Sequence, residues 1–371
     1  MSGALSLNSD TLGKVRRFFR EDVPYWLTRP QKKPLLQQVR EMGELWRAYR
    51  FFPYQYFKHD LYVQSVGEEY RAFFPSIVAD KSIDELNPRA FAPTLEDKVQ
   101  FDRRMAEVGL PTIATFAILT IKDGAATARD REDHALSFPE FLALARQHAP
   151  RAIFVKPRFG GQGIGAHKLD LTPEGLARDG GALTEAGLVD LLAPYGFDDY
   201  LVQPYFEQHE IMRAFNPGSV NTLRVVTFMT EGEVELVGTA LRVGAGEDDT
   251  DNWSGGGLIA NVEMPSGKVA STARVKLGYS KCRVMDRHPL TGVIFGDVTI
   301  PHAGAVKDIV TRGAKTFAPI RLIGWDIAIA ADGPRVLEGN YLSAFLMLQD
   351  ACGGLRHTSV GRELAALHKW R

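Results

Sequence analysis

Two carboxylates and an amide, Asp326, Glu338 and Asn340, sit on apolar runs rich in Ile, Val and Leu that flank Ala331-Asp332-Gly333. A three-residue hairpin loop favours glycine at its last, left-handed position, so Ile323 to Tyr341 predicts a hairpin with Ala331 to Gly333 as its loop. In that register Ala330 faces Pro334 and Asp326 falls opposite Glu338. Asn340 shares their face because side chains alternate along a strand. Carboxylates directly across a ladder repel, and a divalent cation between them removes the conflict. A few carboxylate oxygens completed by phosphate oxygens and water are what Mg²⁺ accepts, with Mn²⁺ as a substitute. A two-residue Asp332-Gly333 turn would send the acids to opposite faces, and a solvated hairpin with scattered acids is the plain alternative.

A second cluster lies upstream. Ala152 to Val155 reads as a buried strand running into Lys156-Pro157-Arg158-Phe159 and then Gly160, Gly161, Gln162, Gly163, Ile164 and Gly165. Glycines let backbone approach a polyanion and offer it N–H donors. The spacing matches neither the Walker loop nor the dinucleotide fingerprint, because no Gly-Lys-Ser/Thr is present and the glycines precede a strand instead of a helix. A flexible turn would explain the glycines alone. Lys156, an ammonium emerging from an apolar strand beside them, suits neutralisation of nucleotide phosphates. Lys98, at a helix start, would supply a second such charge.

The elements that position these groups follow from the rest of the chain. The 371 residues, 45% hydrophobic and 24% charged with net charge −1, describe a soluble protein with ample core and no global field for nucleic acid or membrane. Cys282 and Cys352 make neither a disulfide framework nor a metal cluster, and no signal pattern or membrane-length apolar run occurs, so a cytoplasmic location is expected. Residues 1–60 carry 11 basic against 6 acidic residues, read as a solvated face. Leu35, Val39, Met42, Trp46 and Tyr49 step by helical spacing from about Pro34 to Arg50, a stripe that suits core packing or, failing that, the seam of a homodimer. From Thr94 the pattern alternates. A helix from Leu95 stops at Gly109-Leu110-Pro111, and a strand follows at Ile113 to Ile121. Ser137 with Glu140 forms a capping box for the helix Phe138 to His148. Ala166 to Leu169 is a return strand, Leu183 to Leu192 a helix and Tyr200 to Gln203 a strand. Asn221 to Met229 and Val234 to Val243 are strands joined at Glu231-Gly232, Asp248 to Gly257 is a polar loop, and Val306 to Phe317 is a helix.

Taken in order, Asp97-Lys98, Gly109-Leu110-Pro111, Val155-Lys156-Pro157 with the glycine loop, Val202-Gln203-Pro204-Tyr205, Asn221-Thr222-Leu223-Arg224, and Asp326 with Glu338-Gly339-Asn340 resemble the ATP-grasp superfamily. Gly218-Ser219-Val220-Asn221-Thr222, His288-Pro289-Leu290-Thr291-Gly292 and Gly324-Trp325-Asp326 resemble most closely its sugar-transfer-associated branch. The match spans roughly residues 94 to 345. It implies an α+β fold of two subdomains gripping ATP: a mainly helical region 1–93, a lid subdomain 94–205 and a core subdomain 206–371 with the metal site. It further implies that Lys98 and Lys156 contact ATP phosphates under a flap of Gly160 to Gly165. Gln203, Pro204, Tyr205 and Phe206 would be the adenine hinge and Glu210 the ribose-binding acid. Asp326, Glu338 and Asn340 would hold Mg²⁺, and Arg224 would stabilise an acyl phosphate and the departing γ-phosphate. Asn221, Arg242, Arg287 and His288 are substrate candidates. The hinge begins with Gln203 where many members have Glu, and Pro204 has no N–H to offer.

Such enzymes mostly join a carboxylate to an amine, and the expectation is an ATP- and Mg²⁺-dependent ligase with a small-molecule acid and an amine as substrates. No Ser-His-Asp or Cys-His set is evident, and none is needed, since charge neutralisation and alignment do most of the work. A small-molecule kinase using the same phosphate apparatus and a non-catalytic nucleotide sensor are the alternatives. Asp248, Asp249 and Asp251 read as solvated acids, Ser254 to Gly257 as a segment able to close over substrate, and Trp253 and Trp325 as packing residues.

Overall fold

The computed structural model describes Arg16 and residues 18–75, 83–161, 163–246, 256–277 and 281–370. Gln162, Asp248, Asp249, Asp251, Trp253 and Ser254 lie outside the described residues. Two antiparallel sheets form the frame. The first contains β1 (Ala117–Lys122), β2 (Ala125–Asp130), β3 (Ala135–Leu136), β4 (Ala152–Pro157), β5 (His167–Thr172), β6 (Gly175–Arg178), β7 (Gly181–Leu183) and β8 (Asp199–Pro204), in the order β3-β2-β1-β8-β4-β5-β6-β7. The second contains β9 (Thr222–Thr230), β10 (Glu233–Val243), β11 (Leu258–Val262), β12 (Val269–Leu277), β13 (Lys281–Met285), β14 (Leu322–Ala330) and β15 (Gly333–Asn340), in the order β13-β12-β11-β10-β9-β14-β15.

Alternation gives the first sheet two unlike faces. Ile153 and Val155 of β4, Val202 of β8 and Ala117 of β1 are buried in an apolar layer with Phe141 and Ala145 of the helix Phe138–His148 and Leu188 and Leu192 of the helix Glu185–Leu192. The predicted capping box is present: Ser137 accepts from the Glu140 N–H while the Glu140 carboxylate accepts from the Ser137 N–H. Lys156 shares the opposite face with Leu201 and Ile118, its register partners across β8 and β1, and with Phe154 one alternation away.

In the second sheet one face packs on the helix Ala303–Thr316. Trp325, buried, lies against Phe317 and Phe101 and donates its indole N–H to Thr227 at 2.8 Å, the packing role expected of it. Leu95, Phe101, Met105 and Leu110 join this core, so the segment before β1 is anchored to the second sheet. Val336 N–H also donates to Pro111 carbonyl at 2.9 Å.

The N-terminal residues are helical, as the sequence suggests, but the orientation of their longest helix differs. The helix Leu35–Tyr49 buries Gln38, Glu41, Leu45 and Tyr49. Leu35, Val39 and Trp46 of the expected stripe are 63%, 56% and 51% exposed. Tyr49 and Met42 of the stripe still pack on the core, and polar partners explain the shift of the inward face: Glu41 accepts from Lys33 Nζ at 2.9 Å, Tyr56 Oη at 2.6 Å and Gln37 Nε2 at 2.8 Å. A satisfied buried carboxylate makes a polar helix face compatible with a core.

Candidate active site

The β14–β15 hairpin pairs Asp326 with Glu338 and Gly324 with Asn340. The expected opposition is present, reached by another route. Ala330 pairs with Gly333, so the turn is the two residues Ala331-Asp332, and the ladder shifts between Asp326 and Ile327. Ile327 pairs with Val336, leaving Leu337 as the extra residue of a bulge. A shorter turn and one bulge add up to the register of a longer loop with none.

Asp326 is buried under two guanidinium groups. Arg224 donates from Nε to Oδ1 at 2.6 Å and from Nη2 to Oδ2 at 3.0 Å, a bidentate fork, and its Nη1 reaches the Ser343 carbonyl at 3.3 Å. Arg242 Nη1 lies 3.1 Å from both Asp326 oxygens. The register explains the cluster: Arg224 is the direct partner of Asp326 across β9–β14, and Arg242 stands on the same face of β10 two residues beyond Ala240, which pairs with Arg224. Burial works to raise the Asp326 pKa, but the two arginines prevail and hold it below the usual carboxylate range. Glu338 moves the other way. Burial and then the Asp326 carboxylate raise its pKa, against the cations of Lys98 and Lys156.

Lys98 and Lys156 therefore reach the hairpin from two different elements. Lys98 opens the helix Lys98–Glu107, whose N-cap is Asp97. Its Nζ donates to the Gly160 carbonyl at 2.7 Å, and burial lowers its pKa, with Glu338 opposing and Lys156 reinforcing that shift. The loop is fastened beside it. Arg158 grips Asp97 at 2.9 and 2.7 Å and Asp199 at 3.0 Å. Gly160 and Gly165 have φ of +106° and +74°, and a Cβ on Gly165 would stand 3.1 Å from Pro157 and 3.3 Å from Tyr195. Positive φ and close packing together account for glycine at that position. Gly161 has neither feature, and Gly163 has only the positive φ.

The segment expected to be the hinge ends β8. Gln203 uses its side-chain amide to donate to the Ile113 carbonyl at 2.7 Å and Thr115 Oγ1 at 3.1 Å, and Thr115 donates to Asp102 at 2.7 Å. Pro204 pairs with Ile153, the Tyr205 N–H is taken by the Ala152 carbonyl at 2.9 Å, and Lys168 Nζ lies 5.1 Å over the Tyr205 ring. Phe206 is half-buried, and Glu210 is exposed at the start of the helix Glu210–Phe215.

Four further candidates separate. Arg242 belongs to the Asp326 cluster. Arg287 is exposed, with its neighbour Asp286 3.6 Å away. Asn221 and His288 are fully engaged with backbone: Asn221 Nδ2 donates to the Met212 and Asn216 carbonyls at 2.8 and 3.0 Å, and its Oδ1 accepts from the Gly244 N–H at 3.3 Å. His288 Nε2 lies 2.8 Å from the Gly244 carbonyl, while Nδ1 faces the Leu290 and Thr291 N–H groups. The acceptor role at Nδ1 places the ring proton on Nε2, and burial lowers the ring's pKa.

Sequence reasoning found the acids and lysines but not their partners. Arg158–Asp97 and Arg242–Asp326 join residues 61 and 84 apart. The helix expected from Leu95 is two, Pro93–Glu96 and Lys98–Glu107, so the capping position of Asp97 between them was missed as well.

Glu338 and Asn340 offer oxygens of the kind Mg²⁺ accepts, whereas both Asp326 oxygens already accept from Arg224 and Arg242, which a cation would have to share. Among the described residues no group of three or more His, Cys, Asp and Glu gathers, so a cation would rest on two carboxylates, the Asn340 amide oxygen and ligand oxygens, the mixture Mg²⁺ tolerates. Asn340 Nδ2 donates to the Gly324 carbonyl at 3.3 Å, so Oδ1 is the atom it would offer to a cation.

Residues 78–360 match the family described as sugar-transfer associated ATP-grasp. No curated protein matches. Among solved structures the chain is similar to the ATP-grasp ligase PsnB complexed with minimal precursor, Mg and ADP, at 18% identity and TM-score 0.39, over 77% of this chain and 61% of that one. It is also similar to D-alanyl-alanine synthetase A from Vibrio cholerae O1 biovar eltor, at 13% identity and TM-score 0.42, over 75% and 66%. Biotin carboxylase from Campylobacter jejuni follows at 10% identity and TM-score 0.41, over 75% and 53%. This chain thus spans about three-fifths of the length of the PsnB structure.

Proposed function

The chain belongs to the sugar-transfer-associated ATP-grasp family, and we propose that it is an ATP-dependent ligase that activates a carboxylate as an acyl phosphate and transfers it to an amine. The observation that carries this reading is that Glu338, the register partner of Asp326, feels the charges of both Lys98 and Lys156, with Lys98 bonded to the Gly160 carbonyl of the glycine loop.

The residues divide the work. Lys98 and Lys156 neutralise the phosphates, and Gly160, Gly161, Gly163 and Gly165 let the backbone lie close over them. Gln203 to Phe206 hold the adenine, with the carbonyls and the aromatic rings as the contact groups. Glu210 is the candidate for the ribose. Asp326, Glu338 and Asn340 would hold Mg²⁺, which when bound neutralises the phosphate oxygens. The substrate carboxylate attacks the γ-phosphorus, the bond to the ADP oxygen breaks, and the acyl phosphate forms. An amine then attacks the acyl carbon, phosphate departs, and the amine loses a proton. Arg224, fixed at three points by Asp326 and Ser343, is positioned to meet the charge on the transferring phosphoryl group without reorganising.

Hydroxylamine tests this without knowing the amine. Incubation with Mg·ATP and pools of carboxylic acids should release ADP and form hydroxamates in step. ADP released with a hydroxyl acceptor and no hydroxamate would identify a kinase, and nucleotide bound without any ADP release a sensor.

A further inference from the structure

The two motifs Gly218 to Thr222 and His288 to Gly292 converge on one backbone unit, Gly244. Its carbonyl accepts from His288 Nε2 at 2.8 Å and from Asn216 Nδ2 at 2.9 Å, and its N–H donates to Asn221 Oδ1 at 3.3 Å. Asn216 Nδ2 also reaches the Gly246 carbonyl at 2.9 Å. Gln208 ties the same strap together, accepting from Asn221 N–H at 3.1 Å and donating to the Ser219 carbonyl at 2.6 Å. Thr291 donates its hydroxyl to the Phe215 carbonyl at 3.0 Å, so the His288 turn is fixed to the strap as well. Asn216, Asn221 and His288 are all buried.

Gly244 is the first residue after β10 and stands two residues beyond Arg242. β10 pairs with β9 up to Arg242 and Thr222 and with β11 one rung further, at Val243 and Leu258, so Gly244 is the first residue outside both ladders and is held by the strap. Arg242 itself presents one nitrogen to both Asp326 oxygens. The strap at Gly244 and the two ladders at Arg242 and Val243 together set the end of the strand that carries this guanidinium.

We propose that His288 is a positioning residue: through Gly244, and together with Asn216 and Asn221, it fixes Arg242 so that its guanidinium meets the γ-phosphate of bound ATP. This rests on the ATP reading above. It also explains two polar motifs whose atoms are turned to backbone instead of to a ligand. A buried neutral imidazole is suited to the task, because it donates at one nitrogen and accepts at the other without carrying a charge into the core.

The test compares Mg·AMPPNP and Mg·ADP affinities by titration calorimetry on the full chain, for wild type, His288→Ala, His288→Gln, Arg242→Ala and the double variant His288→Ala/Arg242→Ala. His288→Ala should weaken AMPPNP roughly tenfold, the worth of one charge-assisted hydrogen bond, and leave ADP within about twofold. His288→Gln, which can still donate to the Gly244 carbonyl, should recover most of the loss. In the Arg242→Ala background the His288 substitution should add nothing. Equal weakening of both nucleotides, or additive losses in the double variant, overturns the proposal while leaving the ATP reading intact. If His288→Ala does not fold, Asn216→Ala, which removes the neighbouring bond to the same carbonyl, takes its place in the cycle. Failure of wild type to bind either nucleotide overturns the ATP reading itself, and the proposal with it.

Discussion

At the scale of single residues, the site is governed by two carboxylates that are register partners and titrate in opposite directions. Glu338 has a folded pKa above its ordinary value through burial and the neighbouring Asp326. A raised carboxylate pKa means the folded protein binds its proton more tightly than the unfolded chain, so stability falls as pH rises from about the ordinary value of 4.5 through the folded value. Glu338→Gln removes that loss. In EDTA it should melt above wild type at pH 8, and the gap should close as the pH approaches 4; a gap that is constant with pH would contradict the assignment. Asp326 is the converse case, lowered by Arg224 and Arg242, so its contribution is present above its unfolded pKa and is lost as pH falls through the folded one. Asp326→Asn strips the charge from between two largely buried guanidinium groups and should cost about 3 kcal/mol or more in urea unfolding. A loss under about 0.5 kcal/mol, typical of an exposed pair, would show that the arginines do not depend on it.

At the scale of elements, the hairpin shows how far the sequence can be read and where it stops. Apolar runs of the right length and the Asp-Gly near their junction made the hairpin legible, and alternation placed Asp326 with Glu338. The turn and the bulge were not legible, because a bulge at Leu337 leaves no compositional mark and its effect on register cancels that of the shorter turn. The helix Leu35–Tyr49 fails differently. Its apolar periodicity is real, but Lys33, Tyr56 and Gln37 satisfy Glu41 and turn the polar face inward. The strand expected at Ile113 to Ile121 meets only β1, and its hairpin partner β2 was not read because Asp123-Gly124 was not recognised as a turn. Gly324 tests the packing of the site hairpin on the segment that follows it: a Cβ there would lie 2.5 Å from the Ser343 carbonyl, the group that accepts from Arg224. Gly324→Ala should therefore destabilise by about 1–3 kcal/mol, the usual cost of overpacking, measured by denaturant unfolding. An unchanged midpoint would mean that Ser343 can move freely.

At the scale of the whole molecule, the N-terminal helices are tied to the second sheet through the helix Phe345–Cys352. Lys58 Nζ and His59 Nδ1 approach Asp350 at 3.1 and 3.0 Å, and Gln349 exchanges hydrogen bonds with the Phe74 backbone at 2.8 and 3.1 Å. Contacts across nearly 300 residues of chain cannot be read from local pattern, which is why residues 1–93 were legible as helical but not as a support for the site. Burial lowers the His59 pKa to about 4 despite the opposing pull of Asp350. The unfolded chain then binds the proton first, so stability should fall as pH drops from about 6.5 toward about 4. His59→Gln should flatten the melting temperature across that window, and an unaltered slope would place the proton elsewhere. No helix among the described residues is long and apolar enough to cross a membrane.

We propose that Lys98, Lys156, Asp326 and Glu338 form an ATP site that serves carboxylate activation. The most direct measurement is ADP release from Mg·ATP over paired pools of acids and amines, run with wild type and with folded Lys156→Ala. Release that needs both an acid and an amine in wild type and is lost in Lys156→Ala is the predicted result; release that proceeds without an acid, or at near-normal rate in Lys156→Ala, would contradict it.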